Sequence, residues 1–270
     1  MRLAWLTDIH LNFVDTEPRM RFLQSLCSRC DAVAISGDIA ESNDVEIYLR
    51  ELDRILQRPV FFVLGNHDFY RGSIFGTRKA VTGVARNSDH LVYLTATGVV
   101  GLTPNTALIG HDGWADGQFG DFKHSDVILN DYLLIEELRM WDPVMGFDKG
   151  RLREALLALG EEAARHLEGN LAAAAASYSN VIAVTHVPPF REAAWHEGRT
   201  SDDDYLPHFA CKAVGDALVQ VMQSHPRCRL LVLCGHTHGC GEVDVLDNLR
   251  VVTGGACYGV PSVQRVLEIE

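Results

Sequence analysis

The chain has no long hydrophobic run and little basic character, and each absence excludes a class of protein. Its 270 residues contain no unbroken apolar stretch near 18 residues, the length that a membrane-spanning helix requires. Lysine and arginine number 24 against 36 aspartates and glutamates, which gives a formal net charge of −12. Because nucleic-acid surfaces need clustered basic residues, we expect neither a membrane protein nor a broad nucleic-acid-binding surface.

The cysteines provide neither a disulfide framework nor a complete zinc knuckle. They are odd in number and scattered, and the one C-x2-C pair, Cys27 and Cys30, has no second pair at zinc-site spacing. Reduced and mostly buried thiols are the simplest interpretation. A first strand that starts at Arg2 leaves no room for a signal peptide, so the sequence predicts a cytoplasmic location.

Residue types that bind metals follow five short apolar runs. The runs LAWLT, AVAIS, VFFVL, VIAV and LLVLC are rich in β-branched residues, which is typical of buried strands. Side chains at the ends of such strands meet at one edge of an open α/β sheet, so the pattern predicts a polynuclear metal site. The motifs are Asp8-Ile9-His10, Gly37-Asp38, Gly65-Asn66-His67-Asp68, Thr185-His186 and Gly235-His236-Thr237-His238.

The segments between these runs predict an α/β fold. Apolar residues recur at helical spacing over residues 17–29, 43–57, 151–168 and 211–224, and each stripe is typical of a helix packed on a sheet. Residues 91–110 and 249–269 show extended segments with short turns instead. We expect Leu91–Thr95 to pair antiparallel with Thr106–Gly110, which favours two mixed sheets over one parallel sheet.

Residues 111–150 interrupt the alternation of strands and helices and are aromatic, acidic and dotted with glycine. We interpret them as an insertion near the site, in which Ser125–Met140 is helical with Ser125 as its N-cap. Two roles stay open at this point, a lid over the substrate or a surface excursion without substrate contact. A lid would select substrates through its aromatic residues, which are Trp114, Phe119, Phe122 and Trp141.

The motif residues suit a site that holds two metal ions. Asp8 and His10 are two apart, so in a continuing strand both side chains reach one ion. Asp38 follows glycine and has two carboxylate oxygens, which makes it a candidate bridge between the ions. Asn66 offers a carbonyl oxygen, and His186, His236 and His238 offer nitrogens.

Each motif alone also has a structural interpretation that needs no metal. An Asp-x-His triplet can cap a turn, His186 can be a hydrogen-bonded histidine at the sheet edge, and Gly-Asn-His-Asp can form a hairpin turn. All five motifs in this order, each after a predicted buried strand, favour the metal site.

The order D-x-H, G-D, G-N-H-D, H, G-H-x-H resembles that of the calcineurin-like metallophosphoesterases, with every position filled between residues 8 and 238. The resemblance implies a four-layer α/β/β/α sandwich, which we expect to form one domain over residues 1–270. It also implies a dinuclear centre. One ion would be held by Asp8, His10, Asp38 and His238, and the other by Asp38, Asn66, His186 and His236.

The resemblance further implies which residues act on the substrate. His67 would face the substrate phosphate without binding metal, and Asp68 would orient His67 by a hydrogen bond and favour its cationic form. The reaction would be hydrolysis of a phosphate ester by metal-activated water. A ligand set of oxygen and imidazole without cysteine suits manganese, iron or zinc.

Three functions are compatible with these motifs. The G-N-H-D form and the one-domain layout are similar to those of the cyclic-nucleotide and related phosphodiesterase branch, so a small phosphodiester is the expected substrate. Asp68-Phe69 stands where protein phosphatases of the family carry Glu-x-x-x-Arg, which argues against that branch. A phosphomonoesterase acting on a small metabolite is the alternative, and a non-catalytic protein scaffold of the same fold is the second.

Overall fold

The computed structural model of the chain describes residues 1–142 and 146–270. Within those ranges, no helix combines the length and the apolar composition that crossing a membrane requires. The strands are β1 (Arg2–Leu6), β2 (Ala32–Ser36), β3 (Val60–Val63), β4 (Leu91–Tyr93), β5 (Val100–Gly101), β6 (Thr106–His111), β7 (Trp141–Asp142), β8 (Gly146–Phe147), β9 (Asn180–Thr185), β10 (Trp195–His196), β11 (Arg199–Thr200), β12 (Arg229–Cys234), β13 (Gly241–Leu246), β14 (Leu249–Thr253) and β15 (Arg265–Glu268). The α-helices are α1 (Thr16–Arg29), α2 (Val45–Leu56), α3 (Ile74–Arg86), α4 (Asp131–Leu134), α5 (Lys149–Ala175), α6 (Leu206–Phe209) and α7 (Lys212–Ser224).

The strands form two large mixed sheets and two short ribbons. The first sheet has the order β15-β1-β2-β3-β4 and is parallel except for β15. The second has the order β13-β14-β12-β9-β6-β5, with antiparallel strands at its two edges. Strands β7 with β8 and β10 with β11 make the ribbons. All five motif runs lie in strands of the two large sheets, as predicted.

The two sheets face each other across an apolar layer, and helices cover their outer faces. Trp5 and Phe61 of the first sheet and Leu108, Val184 and Leu233 of the second belong to the cluster between them. Helices α1, α2 and α3 pack on the first sheet, whereas α5 and α7 pack on the second. The predicted four-layer α/β/β/α sandwich is therefore confirmed. In this sandwich, the carboxyl ends of β1, β2, β3, β9 and β12 lie at one rim of the two sheets.

The long helices form where the apolar stripes predicted them, and the structure adds α3 and the one-turn helix α6. All four predicted stripes are helical, and α5 continues beyond residue 168 to Ala175. Helix α3 was not predicted from the sequence. It begins at a serine cap, because the Ser73 hydroxyl accepts a hydrogen bond from the Gly76 amide, and it buries Val81 and Val84.

The predicted antiparallel pairing of Leu91–Thr95 with Thr106–Gly110 is wrong. Strand β4 lies in the first sheet, parallel to β3, and β6 lies in the second sheet, parallel to β9. The 3-10 turn Leu94–Ala96 carries the chain between the sheets, and Leu94 is buried between them. The antiparallel partner of β6 is the two-residue strand β5. The apolar pattern alone did not distinguish β5 from Leu91–Thr95 as that partner.

The predicted helix over Ser125–Met140 is also wrong. Only Asp131–Leu134 is α-helical in that range, followed by the 3-10 turn Glu136–Leu138. Ser125 caps no helix, because its hydroxyl donates to the Asp204 carbonyl and contacts Nε2 of His208. Tertiary hydrogen bonds therefore compete successfully with the local preference for a helix.

Trp114 and Phe122 are buried in the core, which argues against a lid role for these two residues, whereas Trp141 is 65% exposed. Residues 143–145 of the predicted insertion lie outside the described residues.

Candidate metal centre

The candidate ligands leave their strands in an unusual backbone conformation. Strand β1 ends at Leu6, so Asp8 and His10 do not extend it as the sequence suggested. Five of the seven candidate ligands have a positive φ, a conformation that non-glycine residues adopt rarely and that clusters at functional sites. These angles are 48° at Asp8, 39° at His10, 52° at Asp38, 72° at His236 and 58° at His238.

The first cluster contains Asp8, His10, Asp38 and His238, whose ligand atoms all lie within 4.8 Å of one another. The Nε2 atoms of His10 and His238 are 3.4 Å apart. His10 Nε2 is 3.7 Å from Asp38 Oδ2, and His238 Nε2 is 3.5 Å from Asp8 Oδ1. These four residues are the set that the family resemblance assigned to the first ion.

The second cluster surrounds the side-chain oxygen of Asn66. His186 Nε2 lies 2.9 Å from Asn66 Oδ1, and His236 Nδ1 lies 3.0 Å from the same oxygen. His186 Nε2 is also 3.4 Å from Asp38 Oδ1. Asp38 thus presents Oδ2 to the first cluster and Oδ1 to the second, which is the arrangement that a bridging carboxylate requires.

The electrostatics of the two clusters fit bound cations. Burial, followed by the charges of Asp8 and Asp68, raises the pKa of Asp38 well above its ordinary value. The ionised Asp38 carboxylate is therefore unfavourable by itself, and a nearby cation would stabilise it. Burial lowers the pKa of His10 to about 4 and that of His236 to about 3. Both imidazoles are therefore neutral at pH 7, which is the form that binds metal. The donor set fits two divalent ions.

Two glycines allow the motifs to approach each other. A Cβ atom at Gly65 would lie 2.2 Å from Asp38 Oδ1, and one at Gly235 would lie 2.1 Å from Asp8 Oδ2. No real Cβ contact is that short, so a side chain at either position would displace a ligand of the neighbouring motif. The glycines in G-N-H-D and G-H-x-H therefore allow the neighbouring motifs to pack closely at the site.

His67 lies beside the clusters, in the 3-10 turn His67–Phe69. Its amide donates to Asp38 Oδ1 at 2.9 Å, and its ring centroid is 4.6 Å from that of His10. Burial, followed by the charges of the neighbouring histidines, lowers the pKa of His67 to about 2. The expectation of a cationic His67 is therefore wrong for the protein without substrate.

Asp68 does not orient His67 as the sequence analysis expected. Its carboxylate accepts hydrogen bonds from the amides of Gly65 at 2.8 Å, Ala40 at 2.8 Å and Ile39 at 3.0 Å. Among the residues that the structure describes, Nδ1 of His67 has no hydrogen-bond partner. Asp68 instead joins the loop after β3 to the loop after β2, and so fixes the positions of Asn66 and Asp38 relative to each other.

Asp131 is a site residue that the sequence analysis missed. Its Oδ1 atom accepts from Asn66 Nδ2 at 2.9 Å and from the Tyr70 hydroxyl at 2.8 Å. With its amino group held in this way, Asn66 turns its oxygen toward His186 and His236. No sequence signal separates Asp131 from the other acids of residues 111–150, because its role depends on tertiary contact.

Asp112, also missed, connects two of the motif strands. Its buried carboxylate accepts from the Leu64 amide at 2.8 Å, from Arg78 Nε at 2.8 Å and from the Tyr93 hydroxyl at 2.7 Å. Its backbone carbonyl accepts from the His186 amide at 2.9 Å. Asp112 follows the apolar run of β6 just as the motif residues follow theirs, and that signal was available in the sequence.

Replacing Asp131 should weaken metal binding at the cluster around Asn66. We expect Asp131→Leu to lower the affinity for the second metal ion about 10- to 100-fold, the usual cost of losing a partner that orients a ligand. Asp131→Asn keeps the accepting oxygen and should recover most of the affinity. The measurement is calorimetric titration of metal into the chelated protein, with exposed Asp126→Leu from the same segment as control. Unchanged metal affinity in the Asp131→Leu protein would show that Asp131 does not orient Asn66 for metal binding.

The family model of the calcineurin-like phosphoesterases matches residues 1–240, and the chain belongs to this family. It is accordingly a metal-dependent phosphoric ester hydrolase, and membership implies a dinuclear site for divalent metal ions and a small phosphate-ester substrate. Together with the clusters around Asp38, this defines the rim of the two sheets as the candidate active site.

The solved structures that are similar to this chain include two phosphoesterases. The phosphopantetheinyl hydrolase of Mycobacterium tuberculosis has a TM-score of 0.64 at 14% identity, over 95% of this chain and 89% of that chain. A dimetal phosphatase from Danio rerio has a TM-score of 0.59 at 16% identity, over 97% of this chain and 89% of that chain. At such identities the likeness concerns the fold. No curated protein sequence matches the chain.

Proposed function

We propose that the chain hydrolyses small phosphodiesters at a dinuclear centre bridged by Asp38. The observation that carries this proposal is the division of the Asp38 carboxylate, with Oδ2 3.7 Å from His10 and Oδ1 3.4 Å from His186. Asp8, His10 and His238 would complete the first metal site, and Asn66, His186 and His236 the second. When bound, the two ions supply the Lewis acidity that activates water and stabilises charge on the phosphoryl group.

The charges around the clusters favour a diester over a monoester. Asp8 and Asp38 form their ionic contacts with histidines, and among the described residues no lysine or arginine nitrogen lies within 4.0 Å of either carboxylate. Arg71, close to the G-N-H-D motif, pairs with Glu41 instead. A monoester dianion needs one more compensating positive charge than a diester monoanion, and no lysine or arginine beside these carboxylates provides that charge.

His67 would act on the ester as a proton donor. Its Nε2 atom is 3.4 Å from the Tyr258 hydroxyl, at the half-exposed side of the site. His67 is neutral in the free protein, and an anionic phosphate beside it raises its pKa and favours the cation. The cation would then form only in the complex and give its proton to the leaving oxygen. Asp68 would serve by holding the loops of Asn66 and Asp38 together.

Two matched nitrophenyl esters test the preference for diesters. With Mn²⁺ added, we expect kcat/KM for bis-p-nitrophenyl phosphate to exceed that for p-nitrophenyl phosphate by about tenfold or more, since no lysine or arginine beside the two carboxylates compensates a second phosphate charge. Chelation should abolish both activities. A preference for the monoester would establish the phosphomonoesterase alternative. Absence of turnover with either ester, with any of Mn²⁺, Fe²⁺ or Zn²⁺, would contradict the proposed activity.

The remaining assignments are proposals of the same kind. We propose that residues 1–270 form one domain with residues 111–150 as an insertion, which the hydrogen bonds of Asp112 and Asp131 to motif segments support. Manganese, iron or zinc suits the oxygen and imidazole donors. A cytoplasmic location agrees with seven cysteines that form no disulfide within the described ranges.

A further inference from the structure

An exposed aromatic pair, Phe13 and Tyr258, lies next to the first metal cluster. Phe13 belongs to the 3-10 turn Leu11–Phe13 after β1, and Tyr258 belongs to the irregular segment between β14 and β15. Their ring centroids are 5.3 Å apart with the rings at 73°, an edge-to-face contact. Phe13 is 50% exposed and Tyr258 is 48% exposed, although both adjoin buried residues of the site. We call this pair the aromatic wall.

The wall is continuous with the proposed catalytic residues. The Tyr258 ring centroid lies 4.5 Å from that of His10 and 5.1 Å from that of His238. The Tyr258 hydroxyl is 3.4 Å from His67 Nε2, so the wall also borders the histidine that lies beside the two clusters. Phe13 and Tyr258 therefore lie within reach of an ester group on a phosphate that would be held at the metal centre.

We propose that the aromatic wall binds a planar aromatic group of the substrate, on the ester group next to His67. This inference rests on the proposed function and names the substrate class for the same site. The chemistry follows from the exposed rings, because half-exposed aromatic side chains gain by stacking or by edge contact with another ring. An aryl group bonded to the ester oxygen and a nucleobase farther along a nucleoside ester share this chemistry.

Binding of inert phosphoryl ligands tests the wall without relying on turnover. Phenylphosphonate and methylphosphonate differ only in the ring beside phosphorus, and their dissociation constants can be measured by calorimetry on the Mn²⁺-loaded full chain. We expect phenylphosphonate to bind wild-type protein about fivefold or more tightly than methylphosphonate. Phe13→Leu and Tyr258→Leu should each remove most of that ratio. Phe75→Leu, a substitution of a 76% exposed phenylalanine on α3, should leave it unchanged.

A second pair of ligands distinguishes the two sources of the ring. AMP and ribose 5-phosphate differ by the nucleobase alone, and a wall-dependent preference for AMP would identify a nucleoside ester. A preference confined to phenylphosphonate would identify an aryl ester, and both results support the wall. A Tyr258→Phe protein that keeps the ratio would show that the ring, and not its hydroxyl, makes the contact, whereas loss of the ratio in that protein would overturn stacking as its cause.

The wall and the proposed function fail in different ways. If methylphosphonate and phenylphosphonate bind equally well to wild type, the wall is wrong and the phosphoryl site stands. A preference for phenylphosphonate that persists in both Phe13→Leu and Tyr258→Leu also overturns the wall. If neither phosphonate binds the Mn²⁺-loaded protein, the wall is overturned, whereas the proposed function stands or falls with turnover of the two nitrophenyl esters.

Discussion

Asp38→Asn should lose activity by about a thousandfold or more, the largest effect that we expect from a single substitution. The change keeps the shape of the side chain but removes the negative charge that faces both clusters, with Oδ2 toward His10 and Oδ1 toward His186. Transition-state charge stabilisation by metal ions is worth several kcal/mol, so loss of both ions corresponds to roughly that factor. The measurement is kcat/KM for bis-p-nitrophenyl phosphate.

Two comparisons separate this effect from general damage. Asn66→Ala removes a ligand of the second cluster only, so it should lower activity less than Asp38→Asn does. Asp247→Asn changes an exposed aspartate between β13 and β14 and should retain wild-type activity. If the Asp38→Asn protein is folded by circular dichroism and nearly as active as wild type, Asp38 does not bridge the ions.

His67→Gln should keep both metals and lose activity in proportion to the basicity of the leaving group. An alkyl alkoxide is strongly basic and needs a proton as it departs, whereas p-nitrophenolate is stable without one. General-acid assistance contributes about 10²–10⁴ in rate, so we expect losses in that range with alkyl or nucleoside esters. The loss with nitrophenyl esters should stay below about tenfold. Rates on the two ester types, measured at pH 7, give the comparison.

Surface His124→Gln is the matched control, since its ring is exposed and contacts Asp121. It should leave the rates on both ester types at wild-type values. Equal losses on both ester types in His67→Gln would mean that His67 stabilises charge or positions the phosphate and donates no proton. Loss of metal from His67→Gln would mean that His67 is itself a ligand.

The sequence predicted the location of the site because its ligands follow apolar strands. Asp38 comes two residues after the buried run AVAIS, and His186 follows β9 directly, so the rim where they meet was predictable from strand order. The left-handed backbone of Asp8 and His10 was not predictable. It arises from hydrogen bonds of the Asp8 and His10 amides to the carbonyls of Gly37 and Asp38 in a neighbouring motif.

The residues around the ligands were less predictable, since their roles depend on distant parts of the chain. Asp131 lies 65 positions from Asn66, and Tyr258 lies 191 positions from His67. Neither stands in a periodic pattern or a recognisable motif. Asp68 shows the opposite problem, because its position next to His67 suggested a direct contact. Its carboxylate instead accepts hydrogen bonds from three backbone amides of neighbouring loops.

Metal content tests the central claim of a dinuclear centre bridged by Asp38 most directly. Chelated wild-type protein can be reloaded with Mn²⁺, freed of excess metal and analysed for metal per chain beside Asp38→Asn treated in the same way. The account predicts about two equivalents in the wild type, with activity restored as the second is bound, and far less than two in the variant. A wild-type protein that is fully active with one equivalent or none, or an Asp38→Asn protein that holds two, would contradict it.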